Sequence, residues 1–283
     1  MKLLEDFCNY IMNEKNLSMN TVDGYGRDLS QFTSFIEKPV TKVTTEDVSS
    51  FLSHRRAEGD GVSTVSRKLS AIKSFYNFLV RRGKLKYNPA SSIEGMKKPK
   101  RLPRPVDSED IDSLLNMIDN LRDRTIFEVL YATGIRREEL CAINIQTDIN
   151  FRRGELRVVG KGDSERIIPL FPRTLDYIKS LSAEHGKEWL FPSIKTGGHI
   201  GKRQINEIVN KWTSAAGLEW VTPHKFRHSF ATHLMDNGVD LGDIQELLGH
   251  SSPETTKIYA GVSKGRARSA VMKHPLATEK GQP

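Results

Sequence analysis

Apolar residues recur at helical spacing through residues 1–90. Leu3, Leu4, Phe7, Tyr10 and Ile11 share one face of a first helix, and Val22, Tyr25, Leu29 and Phe32 share one face of a second. Val48, Phe51 and Leu52 mark a third, which opens on Thr44 and Asp47 in capping-box spacing. A fourth runs from about Thr64 to Arg82 with Leu69, Ile72, Tyr76, Leu79 and Val80 on its apolar stripe. That phase leaves Arg67, Lys68 and Lys73 for the other side, and Gly83, Asn88 and Pro89 mark the stop. Residues 91–106 carry three prolines among basic residues and no apolar period, the pattern of a linker.

A second domain begins near Asp107, where SEDIDSLL reads as a capped helix start, and extends over 107–283. It contains one strand-like insert. Asp148–Val159 and Arg166–Leu170 have β-branched, alternating character, and the polar GKGDSE between them reads as a hairpin connection. Helical periodicity returns at Leu175–Leu181 and Gln204–Trp212 and dominates to the C-terminus. Gly249 follows LGDIQELL as a helix-ending residue, and Ser252 with Pro253 starts a further helix that carries Tyr259 about two turns in. The expected fold is mainly α: a small helical domain at 1–90, a linker at 91–106, and a mostly helical α/β domain with a small antiparallel sheet.

At 283 residues with 37% hydrophobic content the chain can fill two cores. Nothing resembles a signal peptide or a membrane-spanning run, so no membrane partner is expected. Cys8 and Cys141 share no metal-ligand spacing and read as core residues of a reducing, cytoplasmic compartment. Charge changes the picture more. Residues 1–104 hold 19 Lys and Arg against 11 Asp and Glu, so the whole formal excess of +8 lies in the first third. It includes Lys97, Lys98, Lys100 and Arg101. A polyanion accounts for such placement, and a solvated basic surface is the alternative. Arg67, Lys68 and Lys73 join these four as candidate contacts to such a polyanion.

The second domain carries the candidate chemistry. Arg136 opens RREEL and offers a planar, permanently charged fork for the oxygens of a phosphodiester, with Glu139 three residues on to orient it. His224 and Arg227 fall on one helix face and add an imidazole and a second guanidinium. Lys161, between glycines at the hairpin tip, suits proton donation to a departing alkoxide. His250 can donate a further hydrogen bond, and Tyr259 can attack phosphorus to form a phosphotyrosine ester. Taken singly, each has a bland role: a solvated ion pair, a turn lysine, a helix-end histidine, a packed tyrosine. Their combination points to phosphodiester chemistry. His228 lies four residues from His224, but the pair lacks the glutamate of HExxH and a third ligand, so no metal is expected.

ATGIRREEL, VVGKGDSERIIPL, TPHKFRHSFATHL and LGHSSPETTKIY resemble, in order, the four signature segments of tyrosine recombinases, most closely the Xer subfamily. The similarity continues through LSMNTVDGYGRDLSQFTSFI and Arg67–Val80, and so covers nearly the whole chain. It implies a SAM-like core-binding domain and a catalytic domain that together clamp duplex DNA, with Arg136, Lys161, His224, Arg227, His250 and Tyr259 at catalytic positions. It further implies a 3′-phosphotyrosine intermediate, no cofactor, and a tetramer on two DNA sites, formed with itself or with a second related recombinase. An activating DNA translocase is a possible further partner. The tail GVSKGRARSAVMKHPLA resembles the segment that docks on a neighbouring protomer. Resolution of chromosome or plasmid dimers at a dif-like site is the cellular role implied. A mobile-element integrase, a type IB topoisomerase-like enzyme and a non-catalytic DNA-binding protein are the alternatives.

Overall fold

The structure, a computed structural model, describes residues 2–15, 17–95, 104–160, 164–249 and 264–278. The chain divides into two compact units, Met1–Arg101 and Leu102–Pro283, each with its own core.

The first unit consists of α1 (Lys2–Asn13), α2 (Met19–Ile36), α3 (Thr45–Ala57) and α4 (Val62–Arg81). The apolar stripes meet as their periods require. Phe7, Phe32, Phe51, Phe75 and Tyr76 are fully buried, and Phe7 sets its edge against Phe75 with ring centroids 5.4 Å apart. The expected capping box starts α3: Asp47 accepts from the Thr44 backbone N–H at 2.8 Å, and Thr44 Oγ1 accepts from Asp47 N–H at 3.4 Å. Asn88 ties the chain after α4 back to Asn77 and to the carbonyl of Lys73, and Ile93 still packs on this core.

Lys68 overturns its assignment to the DNA-facing side of α4. Its side chain is only 3% exposed, and its ammonium donates to Asp28 at 3.3 Å and to Gln31, with Asp60 at 3.8 Å. Arg67 also pairs with Asp28 but remains half exposed. A helix face broad enough to pack on two neighbours includes positions beyond the apolar stripe. A lysine there is retained because carboxylates come inside with it.

In the second unit, α5 (Ser108–Met117) and α6 (Leu121–Thr133) precede two short helices, α7 (Arg137–Cys141) and α8 (Ile145–Asp148). A sheet ordered β1 (Ile149–Asn150), β2 (Glu155–Val159), β3 (Glu165–Pro169) follows, with both pairings antiparallel. The single strand expected over Asp148–Val159 is therefore two strands. Asn150 makes the break: its side chain accepts from Arg153 N–H at 3.0 Å and its carbonyl from Gly154 N–H at 2.8 Å, with Gly154 at φ 63°. Then come α9 (Pro172–His185), α10 (Lys202–Ala215), α11 (Pro223–Asp236), α12 (Leu241–Leu248), α13 (Lys264–Val271) and α14 (Pro275–Thr278). Helix α6 is buried all round from Asp123 to Thr133, so it shows no apolar stripe. Its polar groups are paired inside: Asp123 with Arg122 and the Trp212 indole, Glu128 with Arg124 and Arg173.

The described part of the tail packs on its own unit, where Ala270, Val271 and Leu276 join the core and His274 is buried with them. His274 is fully buried among Tyr131, Phe171 and Phe230, with ring centroids 4.4, 5.4 and 5.3 Å away, and its Nε2 has no hydrogen-bond partner. Burial, assisted by nearby His233, pushes its pKa down to about 3. Cys141 is a packing residue whose thiol burial pushes up to about 11. Among the described residues, no helix is long and apolar enough to cross a membrane.

Two stability measurements follow from this architecture. Asp28→Ala leaves the buried Lys68 ammonium short of its nearest carboxylate and should cost about 3 kcal/mol in urea unfolding. For His274 the neutral form belongs to the folded state, so stability is complete above the unfolded value near 6.5 and falls as pH drops toward 3. Acidification from pH 7 to pH 5 should cost about 2 kcal/mol through this residue, and His274→Leu should flatten that slope.

Candidate active site

The site is assembled where four backbone segments end. Helix α6 stops at Gly134 in the left-handed region (φ 58°), and Arg136 is the residue just before α7. Arg136 has no acceptor atom, so the cap is one-sided: Glu139 reaches back and accepts from the Arg136 backbone N–H at 2.7 Å and from its Nη1 at 2.9 Å. The Glu139 side chain is 6% exposed, whereas that of Arg136 is 41% exposed. The carboxylate is therefore the hidden member of the pair, and the guanidinium faces outward.

Helix α11 starts with Pro223 in its first turn and carries His224 and Arg227. Arg227 is buried and donates to the carbonyls of Gly134 and Leu248, each at 2.7 Å. Its pKa is lowered to about 10, first by burial and then by the Arg136 and Arg166 cations, with Glu139 opposing the shift. It therefore remains a cation at neutral pH. His224 is exposed and lines one cleft of about 630 Å3 together with Arg136, Arg227, Asn206 and Asn210.

Helix α12 ends at Gly249 (φ 63°), and its last carbonyls converge on the arginines. Leu247 O accepts from Arg166 Nε at 2.9 Å, Leu248 O from Arg227 Nη2 at 2.7 Å, and Gly249 O from Arg136 Nη2 at 3.1 Å. Three successive acceptors at the negative end of a helix thus take three different guanidiniums. Arg166 also forks onto Glu139 at 3.1 and 2.7 Å. Burial alone would raise the Glu139 pKa, but the Arg166 hydrogen bonds and then the Arg136 backbone N–H bring it below the ordinary value.

The chain matches the phage integrase family over residues 104–266 and that family's N-terminal SAM-like domain over residues 4–83. It is 34% identical to tyrosine recombinase XerD of Listeria monocytogenes, over 97% of this chain and 99% of that protein. It is 38% identical to tyrosine recombinase XerC of Pelobacter propionicus, over 98% and 96% respectively. The chain belongs to the phage integrase family of tyrosine recombinases. A lambda integrase dimer bound to a core site shares the fold with a TM-score of 0.74 at 18% identity, over 93% of this chain and 98% of that one.

Of the residues expected at the recombinase site, the structure brings Arg136, Glu139, His224 and Arg227 together. Lys161, His250 and Tyr259 lie outside the described residues, as do Ser252 and Pro253. So do Lys97, Lys98, Lys100 and Arg101. Gly160 and Ser164, on either side of the hairpin tip, are joined by a 2.8 Å backbone hydrogen bond, and Gly249 directly precedes His250. Arg67 and Lys73 are solvent-accessible, and Lys73 Nζ lies 3.5 Å from the Ser91 carbonyl. Among the described residues, no group of three or more His, Cys, Asp and Glu could hold a metal ion. Arg166 was not among the expected residues, yet its signal was present. It shares strand phase with buried Ile168, so period-two alternation turns its stem inward.

Gly134 admits no side chain. A Cβ there would lie 2.5 Å from Phe230 Cδ1 and 2.9 Å from Leu248 Cδ2, at a positive φ. Gly134→Ala should lower unfolding free energy by about 2–4 kcal/mol by urea titration. DNA cleavage should fall with it, because the Gly134 carbonyl is an anchor of Arg227.

Proposed function

We propose that this recombinase exchanges DNA strands through Tyr259. The observation that carries the reading is the convergence of Arg136, Arg227 and His224 on one cleft, with both guanidiniums held by backbone carbonyls at fixed 2.7–3.1 Å distances. Donors fixed in advance suit a phosphodiester, whose nonbridging oxygens gain negative charge as attack proceeds. In the proposed step Tyr259 Oη bonds to phosphorus, the bond from phosphorus to the 5′ oxygen breaks, and Lys161 supplies the proton that the departing oxygen needs. The tyrosine proton leaves through His224 or solvent, and His250 adds a hydrogen bond to the phosphate. A 3′-phosphotyrosine and a free 5′ hydroxyl result. A 5′ hydroxyl from a partner duplex then reverses the attack, so the bond is conserved without ATP.

The first unit, the chain through 91–106 and the second unit act in this reading as core-binding domain, linker and catalytic domain on duplex DNA. Backbone phosphate contacts from Arg67, Lys73, Lys97, Lys98, Lys100 and Arg101 would make affinity strongly salt-dependent. The narrower part of the proposal is a cytoplasmic tetramer acting at a dif-like site to resolve chromosome or plasmid dimers. It rests on the Xer resemblance, and a second recombinase or an activating translocase belongs to the same level. Since the tail packs on its own unit here, docking on a neighbour would require it to leave that seat.

The test is covalent adduct formation on a nicked suicide duplex carrying a dif-like site, in EDTA. Wild-type protein should give a 3′-linked adduct and Tyr259→Phe none. Arg227→Ala should retain binding and cut more slowly by about 10²–10³-fold. Equal adduct in wild type and Tyr259→Phe would remove Tyr259 from its role. Tight binding without any adduct would point to a missing partner, a wrong site or a DNA-binding protein that does not cut, in that order, and religation without exchange to a topoisomerase-like enzyme.

A further inference from the structure

Arg166 lies behind the cleft rather than in it. Its side chain is 8% exposed, it is absent from the cleft lining, and each of its donor nitrogens is taken up inside the protein. Two reach the Glu139 carboxylate and the third reaches the Leu247 carbonyl. Glu139 in turn holds both the backbone and the guanidinium of Arg136. Gly249 is shaped around the same arginine: a Cβ there would meet Arg166 Nη1 at 3.0 Å and Cδ at 3.2 Å.

We propose that Arg166 is a positioning residue for strand cleavage: its fork fixes Glu139, and through Glu139 it aims the Arg136 guanidinium into the cleft. The proposal rests on the recombinase reading above. Arg136 needs such a device because it is the least buried of the three guanidiniums, and a half-exposed arginine has many rotamers of similar energy. A carboxylate held from two sides removes that freedom before the substrate arrives. Among the described residues, the charged groups facing Glu139 are Arg136 beside α7, Arg166 from β3 and Arg227 from α11. Arg166 supplies the strongest of the interactions that keep Glu139 ionised against its burial. Without it the carboxyl would hold its proton to higher pH, and a protonated Glu139 has one fewer acceptor lone pair to give Arg136.

The experiment compares full-length wild type, Arg166→Lys and Arg166→Met on the nicked suicide duplex, measuring DNA affinity and the adduct rate from about pH 5.5 to pH 9. Arg166→Met should bind within about twofold of wild type and cleave more slowly by about 10²-fold. The acid limb of its pH–rate profile should lie at higher pH. Arg166→Lys keeps a cation but loses the fork, so its rate should fall by about tenfold while its acid limb stays near that of wild type. A wild-type rate in either variant overturns the proposal. For Arg166→Met, a rate loss that is the same at every pH also overturns it, because loss of folded protein lowers the amplitude without moving the limb. If Arg166→Met does not fold, Arg166→Gln takes its place in the same pH–rate measurement. Absence of a Tyr259-dependent adduct from wild type would instead overturn the recombinase reading on which the proposal stands.

Discussion

Three guanidiniums cannot be gathered within hydrogen-bonding reach of one helix end unless something opposes their mutual repulsion. Here the opposition comes from the carbonyls of Leu247, Leu248 and Gly249 and from one carboxylate, Glu139. The helix end supplies partial negative charge without a counter-anion, so Arg136, Arg166, Arg227 and Glu139 keep a formal excess of two positive charges. A phosphodiester under attack passes from one negative charge to two. Burial lowers the Arg227 pKa most, and the neighbouring Arg136 and Arg166 cations lower it further.

The same logic applies to Lys68 in the first unit, with the opposite outcome for function. Its ammonium is brought inside with Asp28, Gln31 and Asp60, and the cation is consumed in joining α4 to α2. Buried ion pairs of this kind contribute little net stability over apolar residues of similar shape, but they penalise any register in which a partner is missing. Lys68 therefore helps fix how the helices meet, while Arg67 and Lys73 keep solvent-accessible side chains.

How much was legible beforehand depended on whether a residue's environment was local. Helices α1 to α4 follow from apolar spacing, the cap of α3 from Thr44 and Asp47, and the hairpin from β-branched alternation around GKGDSE. Arg136, Glu139, His224 and Arg227 are brought together as their motifs implied. Helix α6 left no periodic trace, because a helix enclosed on all sides has no polar face, and its charges are paired with residues as distant as Trp212 and Arg173. The break at Asn150 was missed because β-branched residues continue on both sides of a turn set by one asparagine and one glycine. The burial of Lys68 is decided by carboxylates supplied from elsewhere in the fold, which no local pattern records. Strand phase turns Arg166 inward, but the groups that receive it, Glu139 and the Leu247 carbonyl, lie far along the chain.

His274 gives the C-terminal tail a second meaning. Because the ring fills a seat among Tyr131, Phe171 and Phe230, the tail is part of the wall of the catalytic unit as well as an appendage to it. Shortening the chain before α13 would open a greasy socket beside the helix that carries His224 and Arg227. Such a truncated protein would expose apolar rings to solvent and stick to itself through the vacated socket.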